Sequence, residues 1–481
     1  MMCRKRLLPF FLLLPLFLAG CGGGGGGGSN AGGPSEIAYV LSEDASAPNK
    51  GYIVEYGLDP ATNNFQPAAS GPVSTGGDAP LQLLFNTAHS LAFVLNGNNA
   101  TDSNLKTGSV SVFSDGSDGL SASPVSTLST GRNSVHMSLD PGGNYLVVAD
   151  HGDGTGSNSG GGDVEIFSYS TSGTLSLLKA ASSPCTNPFR VVFRPGSSGA
   201  TSDTVYVVCS SPELVWETNL PNPEIWSCSI TTLLSSAPSC TSIALLSVFT
   251  ASSALVDFTF DPSGQYAVGP GTTSVKNGFL LVCVFSSSTL TCPNPIPAIS
   301  SPWVPSGNIA FSGSGNGEKV YIGNYDPTGL SGTDSFVSCT LSNSLTHPPH
   351  PASSCSNFYS LSYPGPISMA VNPASNALFI AATVTAINGA YTAATPGTST
   401  GGTAPSSGYL YSCPISSLTS CSSPQPTGVW PVELSFDPNG SYLFVPTLSG
   451  EVDIFTGVSS GNLSLFQQVS PGYTPVSVNV H

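Results

Sequence analysis

Basic residues are scarce in this chain: eleven Lys and Arg stand against 27 Asp and Glu. A balance of that sign argues against nucleic acid or an anionic lipid surface as a partner. Charge of either sign is thin, at 8% of residues, yet apolar residues make up 40%, which excludes a disordered chain and predicts a packed core. The Cys-x2-4-Cys spacing of zinc sites is missing, as are the EF-hand and nonapeptide spacings of calcium sites. The glycine run Gly22 to Gly28 lacks the following Lys-Ser/Thr of a phosphate-binding loop. No cofactor and no metal are therefore expected. Away from the start, no apolar run is long enough to cross a bilayer.

The start itself has three regions. Arg4, Lys5 and Arg6 precede the apolar run Leu7 to Leu18, which is broken by Pro9 and Pro15 and ends in Leu18-Ala19-Gly20-Cys21. That is the layout of an export signal rather than of a spanning helix. The ending resembles a bacterial lipobox, which implies cleavage before Cys21, lipid on its sulfur, and attachment to a membrane by acyl chains. Residues 1–20 are read as signal peptide, 21–35 as lipidated cysteine and Gly-rich tether, and 36–481 as the folded part. Gly22 after the lipidated residue implies, by the usual sorting logic, the outer membrane. Loss of the three basic residues with the leader leaves eight against 27 acidic, a net charge of −19.

One phrase recurs in the folded part: Met137-Ser-Leu-Asp-Pro-Gly-Gly-Asn-Tyr-Leu-Val-Val-Ala-Asp150, Phe258-Thr-Phe-Asp-Pro-Ser-Gly-Gln-Tyr-Ala-Val-Gly269 and Leu434 to Thr447. Each is a strand, an Asp-Pro-x-Gly turn and a second strand. Such units cannot bury their apolar faces alone and must stack, so an all-β propeller of four-stranded antiparallel blades is expected. Eight inner strands can be followed, from Leu81–Asn86 to Ser477–Val480, and eight second strands, from Ala38–Leu41 to Tyr442–Val445. The chain opens on a second strand and closes on a lone first strand, so the tail is expected to complete the first blade and remove its free edge.

Ten cysteines remain after Cys3 and Cys21 are set aside. Four local couples, Cys228 with Cys240, Cys283 with Cys292, Cys339 with Cys355 and Cys413 with Cys421, fall once each in four successive repeats. Facing across hairpins, they are within disulfide reach. Cys185 and Cys209 pair by elimination.

The Asp-Pro-x-Gly-x-Tyr-Leu-x-Val pattern, third strands such as Val164-Glu165-Ile166-Phe167-Ser168-Tyr169, and turns such as Gly173-Thr174-Leu175 or Gly461-Asn462-Leu463 resemble the lactonase-type β-propellers. These include 6-phosphogluconolactonases and are akin to the YVTN repeat proteins. The resemblance implies seven blades, against eight units counted here, and a lactone-opening site of His, Arg and carboxylates. Asp150-His151-Gly152-Asp153 fits one family element. His136 lies one residue closer to Asp140-Pro141 than the family spacing, which in a regular strand turns it to the opposite face. The family's Arg-His pair is represented by Phe189-Arg190-Val191, and its Glu by a late Glu213.

The catalytic candidates are thus Arg190 as oxyanion ligand, His136 or Glu213 as base, and Asp150, in a set that is incomplete. A strong fold signal beside a weakened site favours a ligand-binding or protein-interaction module, with lactone hydrolysis as the alternative. The ligand, a small molecule or a protein, is not specified. Two further groups read as structural: the His347-Pro-Pro-His350 pair as loop, and Asp150, Asp153 and Asp163 as a solvated acidic loop rather than a calcium site; Trp216, Trp226, Trp303 and Trp430 fit a sugar-stacking face and a propeller core equally.

Overall fold

A computed structural model describes residues 36–44, 50–97, 107–116, 119–152, 162–185, 187–195, 204–209, 223–235, 240–243, 253–273, 278–286, 289–292, 304–313, 318–325, 335–341, 355–361, 366–372, 374, 377–383 and 408–481. The expected signal, lipobox and tether lie outside the described residues, as do Glu213, Asp153, Trp216, Trp303, His347 and His350.

The strands form eight antiparallel sheets with strands running outward from the axis, seven of them built from consecutive strands and the first from the first strands of the chain and the last. Blade 3 is representative, with Ser134–Leu139 innermost, then Tyr145–Asp150, Asp163–Tyr169 and Leu175–Ser182. Second strands such as Leu91–Asn96 and Ala377–Thr383 are buried along their whole length. That burial explains their unbroken apolar sequence: both faces of the blade are covered by neighbouring blades.

Eight hydrophobic clusters hold the ring, and each fills one seam between consecutive blades. Phe93, Val112, Met137 and Phe167 pack blade 2 on blade 3; Val147, Ile166, Val191 and Val207 pack blade 3 on blade 4. The series continues through the remaining seams and closes with Phe444 and Ile454 against Val40 and Tyr56, and Tyr39 and Ile53 against Val94 and Phe113. Eight blades with eight seams make a closed ring.

Closure is made by the chain end, as the strand order implied. Thr474–Val480 is the innermost strand of blade 1 and pairs antiparallel with Ile37–Glu43. Ile37 and His481 exchange both backbone hydrogen bonds, at 3.0 and 3.1 Å.

The recurring Asp-Pro-x-Gly turn is built by its own side chain. Asp140 Oδ1 accepts from the Asn144 amide at 2.7 Å, and Asp261 Oδ1 from the Tyr266 amide at 2.6 Å, with Oδ2 taking the Ser263 amide at 3.1 Å. Asp437 holds Tyr442 in the same way. The turn glycines Gly143, Gly264 and Gly440 sit at φ of 72°, 68° and 66°, where a β-carbon is disfavoured.

All five expected disulfides are formed: Cys228–Cys240, Cys283–Cys292, Cys339–Cys355, Cys413–Cys421 and Cys185–Cys209. The four local ones span the third and outermost parts of blades 4 to 7. The fifth lies within one blade. Cys185 lies in the segment leading into Pro188–Phe193, and Cys209 ends the next strand, so the bond clamps blade 4 to its own entry loop.

Candidate functional site

Four residues before each turn Asp, or before the residue in its place, a side chain occupies an equivalent position on the innermost strand or, for Asp257 and Glu433, just ahead of it. By that register the position is held by Gln82, His136, Arg190, Asp257, Ser368, Glu433 and Ser477. Just ahead of it the inner strand departs from regular pairing. Residue shifts fall between Pro80 and Gln82, Ser134 and His136, Pro188 and Arg190, and Pro366 and Ser368. A bulge of this kind re-aims the side chain that follows it.

These re-aimed side chains reach toward the next blade. Gln82 Oε1 accepts from the Met137 amide at 2.9 Å, and Glu433 Oε2 accepts from the Val478 amide at 3.1 Å. In both cases the acceptor meets the amide just after the equivalent residue of the following blade. The result is a belt of cross-blade bonds around the axis.

In blades 3 to 5 the belt becomes a charged chain. Arg190 Nη1 donates to His136 Nε2 at 2.9 Å, and Arg190 Nε lies 2.7 Å from Asp257 Oδ1. A guanidinium has no acceptor, so His136 must accept through Nε2 and its proton sits on Nδ1. Burial and the Arg190 charge both push the imidazole well below its usual value, with the Val191 backbone opposing. It is neutral at physiological pH. Burial raises Asp257 while Arg190 and the Phe258 amide pull it back. The Arg190 side chain is 29% exposed, which leaves the guanidinium reachable by an incoming carbonyl or carboxylate oxygen.

His136 therefore does not turn away from Arg190 as its spacing suggested. The shift between Ser134 and His136 offsets the missing residue, and His136 pairs with Ala149. Asp150, by contrast, does not join the pair. It is buried in the seam between blades 2 and 3, where it accepts from Ser134 Oγ and the Gly131 backbone. Burial lifts it to about 7, and the same cause, helped by the Asp150 charge, lifts neighbouring Glu165 to about 8. Among the described residues no three His, Cys, Asp or Glu side chains are grouped to hold a metal ion. Trp226 stands on a third strand, partly buried against the seam between blades 3 and 4, and donates to Glu224 at 2.8 Å. Such a Trp is a packing residue.

Asp257 and Glu433 were not among the candidates read from the sequence. Their signal is the fixed four-residue distance to Asp261 and Asp437, visible once the repeats are aligned on their turns.

Residues 40–187 match the family model described as "Lactonase, 7-bladed beta-propeller". Over that stretch the chain is similar to the lactonase-type β-propellers. The ring has eight blades where that description has seven. The matched stretch includes His136 and Asp150 and ends before Arg190. No significant match is found among curated proteins. Among solved structures, the periplasmic gluconolactonase PpgL of Pseudomonas aeruginosa is 14% identical with a TM-score of 0.51, covering 93% of this chain and 99% of its own. AztD from Citrobacter koseri is 12% identical at 0.54, covering 93% and 98%. The dihydro-heme d1 dehydrogenase NirN is 12% identical at 0.57, covering 93% and 77%. At such identity the likeness shows the fold.

Proposed function

We propose that this lactonase-type propeller is a hydrolase that opens a sugar or acyl lactone at the His136–Arg190 pair. The observation that carries the reading is the Arg190 guanidinium, held by His136 at 2.9 Å and Asp257 at 2.7 Å with its side chain 29% exposed. A donor fixed in this way stabilises charge as it develops on the lactone carbonyl oxygen. His136, kept neutral, is the nearby candidate base, and it takes a proton from water only once Nε2 has released its bond from Arg190. Water oxygen bonds to the carbonyl carbon, the ring C–O bond breaks, and the departing oxygen takes the proton. Lactone and water thus become a hydroxy acid.

A second reading, a ligand-binding or interaction module without turnover, is favoured by Val191. It follows Arg190 where the family's Arg-His pair has its His, and it is buried in the seam between blades 3 and 4. One assay series separates the two. The purified full chain is tested on sugar and acyl lactones beside Arg190→Ala and His136→Gln. Turnover lost in Arg190→Ala supports hydrolysis; binding of a hydroxy acid with no turnover of any lactone supports the module.

We further propose export and anchoring through lipid on Cys21, at the outer membrane, with the Gly22 to Gly28 run as tether and no nucleic acid partner. Five disulfides fit an oxidising compartment. Among the described residues no helix is long and apolar enough to cross a membrane. Metabolic labelling with palmitate, abolished by Cys21→Ser, is the expected result; labelling that persists refutes the anchor.

A further inference from the structure

Lactone opening turns a neutral molecule into an anion, because the hydroxy acid it yields gives its carboxyl proton to water at neutral pH. A guanidinium that serves the neutral lactone is therefore at risk of retaining the product, since it grips carboxylates through two parallel N–H bonds. The contacts of Arg190 oppose that grip. Nε is held by Asp257 at 2.7 Å, and Nη1 donates to His136 at 2.9 Å. A guanidinium has two forks, Nε with one Nη and the two Nη together, so each fork includes an atom already engaged. A carboxylate finds neither fork wholly free, whereas a carbonyl oxygen needs only one donor.

Charge acts in the same direction. Asp257 Oδ1 faces Arg190 and also accepts from the Phe258 amide at 2.5 Å, which fixes the carboxylate against a cation that cannot lose its proton. With His136 neutral, the three side chains together carry no net charge. Among the described residues the innermost strands hold no other Lys or Arg, so no second cation stands at this level to hold an anion. The chain as a whole has 27 acidic residues against eleven basic, and its field repels anions further.

We propose that Asp257 is a specificity-determining residue of this site: it cancels the charge of Arg190, so that the neutral lactone is bound and the carboxylate product is released. The proposal rests on the reading of Arg190 as the donor to the lactone carbonyl oxygen.

Asp257→Asn isolates the charge, because an Asn Oδ1 can still accept from the Phe258 amide and from Arg190 Nε. The full chain is assayed on D-glucono-1,5-lactone and on δ-hexanolactone. Binding of D-gluconate and 5-hydroxyhexanoate is measured by calorimetry, beside their inhibition of turnover. Asp257→Asn is expected to bind the acid of whichever lactone is opened at least fivefold more tightly than wild type does, while the KM of that lactone moves less than twofold. Arg190→Ala added to Asp257→Asn is expected to abolish the gain. Unchanged affinity for the acid in Asp257→Asn overturns the role of Asp257 alone. If wild type opens neither lactone, that role falls together with the reading of Arg190.

Discussion

Asp150 and Glu165 lie on neighbouring strands of blade 3, two residues apart in register, with both carboxyls buried in the seam toward blade 2. Among the described residues Asp150 Oδ2 and Glu165 Oε2 have no hydrogen-bond partner. Two ionised carboxylates in such a place repel and are poorly solvated, so the folded state retains protons that the unfolded chain gives up.

The sign of the resulting pH dependence follows. Folded values of about 7 for Asp150 and about 8 for Glu165 exceed those of the unfolded chain. Stability is therefore full below the ordinary carboxylate range and is lost as pH rises through 7 to 8. The melting temperature at pH 5.5 is expected to exceed that at pH 8.5. Asp150→Asn should narrow the gap, stabilising the protein at pH 8.5 by on the order of 2 kcal/mol; a gap of wild-type size in this variant contradicts the assignment.

Arg190→Ala has a structural as well as a chemical consequence, because it leaves the Asp257 carboxylate buried without its cation. A loss of about 3 kcal/mol in urea unfolding is expected. Asp257→Asn added to it should recover much of that loss, and a double-mutant cycle measures the coupling. Additive losses would mean that the 2.7 Å ion pair contributes little.

The disulfides differ in the loops they close. Cys185–Cys209 spans 24 residues and Cys413–Cys421 spans 8, so loop entropy predicts losses of about 3.4 and about 2.5 kcal/mol when each is replaced by paired serines. Calorimetric melting of the two variants gives the order. Titration of the unfolded, unreduced protein should find none of these ten cysteines as free thiol.

At the turn of blade 5, Gly264→Ala is expected to destabilise by roughly 1–3 kcal/mol. The residue sits at φ 68°, and an added β-carbon would lie 2.5 Å from the Pro195 carbonyl oxygen in blade 4. Chemical denaturation is the check. A neutral effect would show that the turn and its neighbour relax easily.

Much of the fold was legible because its cause is local and repeated. The Asp-Pro-x-Gly phrase carries its own amide acceptor, its proline and its positive-φ glycine, so each turn can be read without its neighbours. The cysteine couples were legible for the same reason, since a hairpin brings its two strands together whatever surrounds it. The site was less legible. His136 looked misplaced because strand parity was counted through a position where the pairing shifts, and such a shift leaves no mark in one repeat alone. Asp257 and Glu433 look like ordinary strand residues until the eight units are superposed.

The sequence by itself determined the four-stranded unit, the count of eight and the closing strand, because alternation, turn chemistry and terminal strand order are properties of consecutive residues. Only the tertiary structure decided which side chains meet. Arg190 reaches His136 and Asp257 because blades 3, 4 and 5 bring three residues, 54 and 67 positions apart in turn, to one level at the axis. That proximity comes from packing across the seams, where apolar burial sets the angle between blades, and no spacing along the chain encodes it.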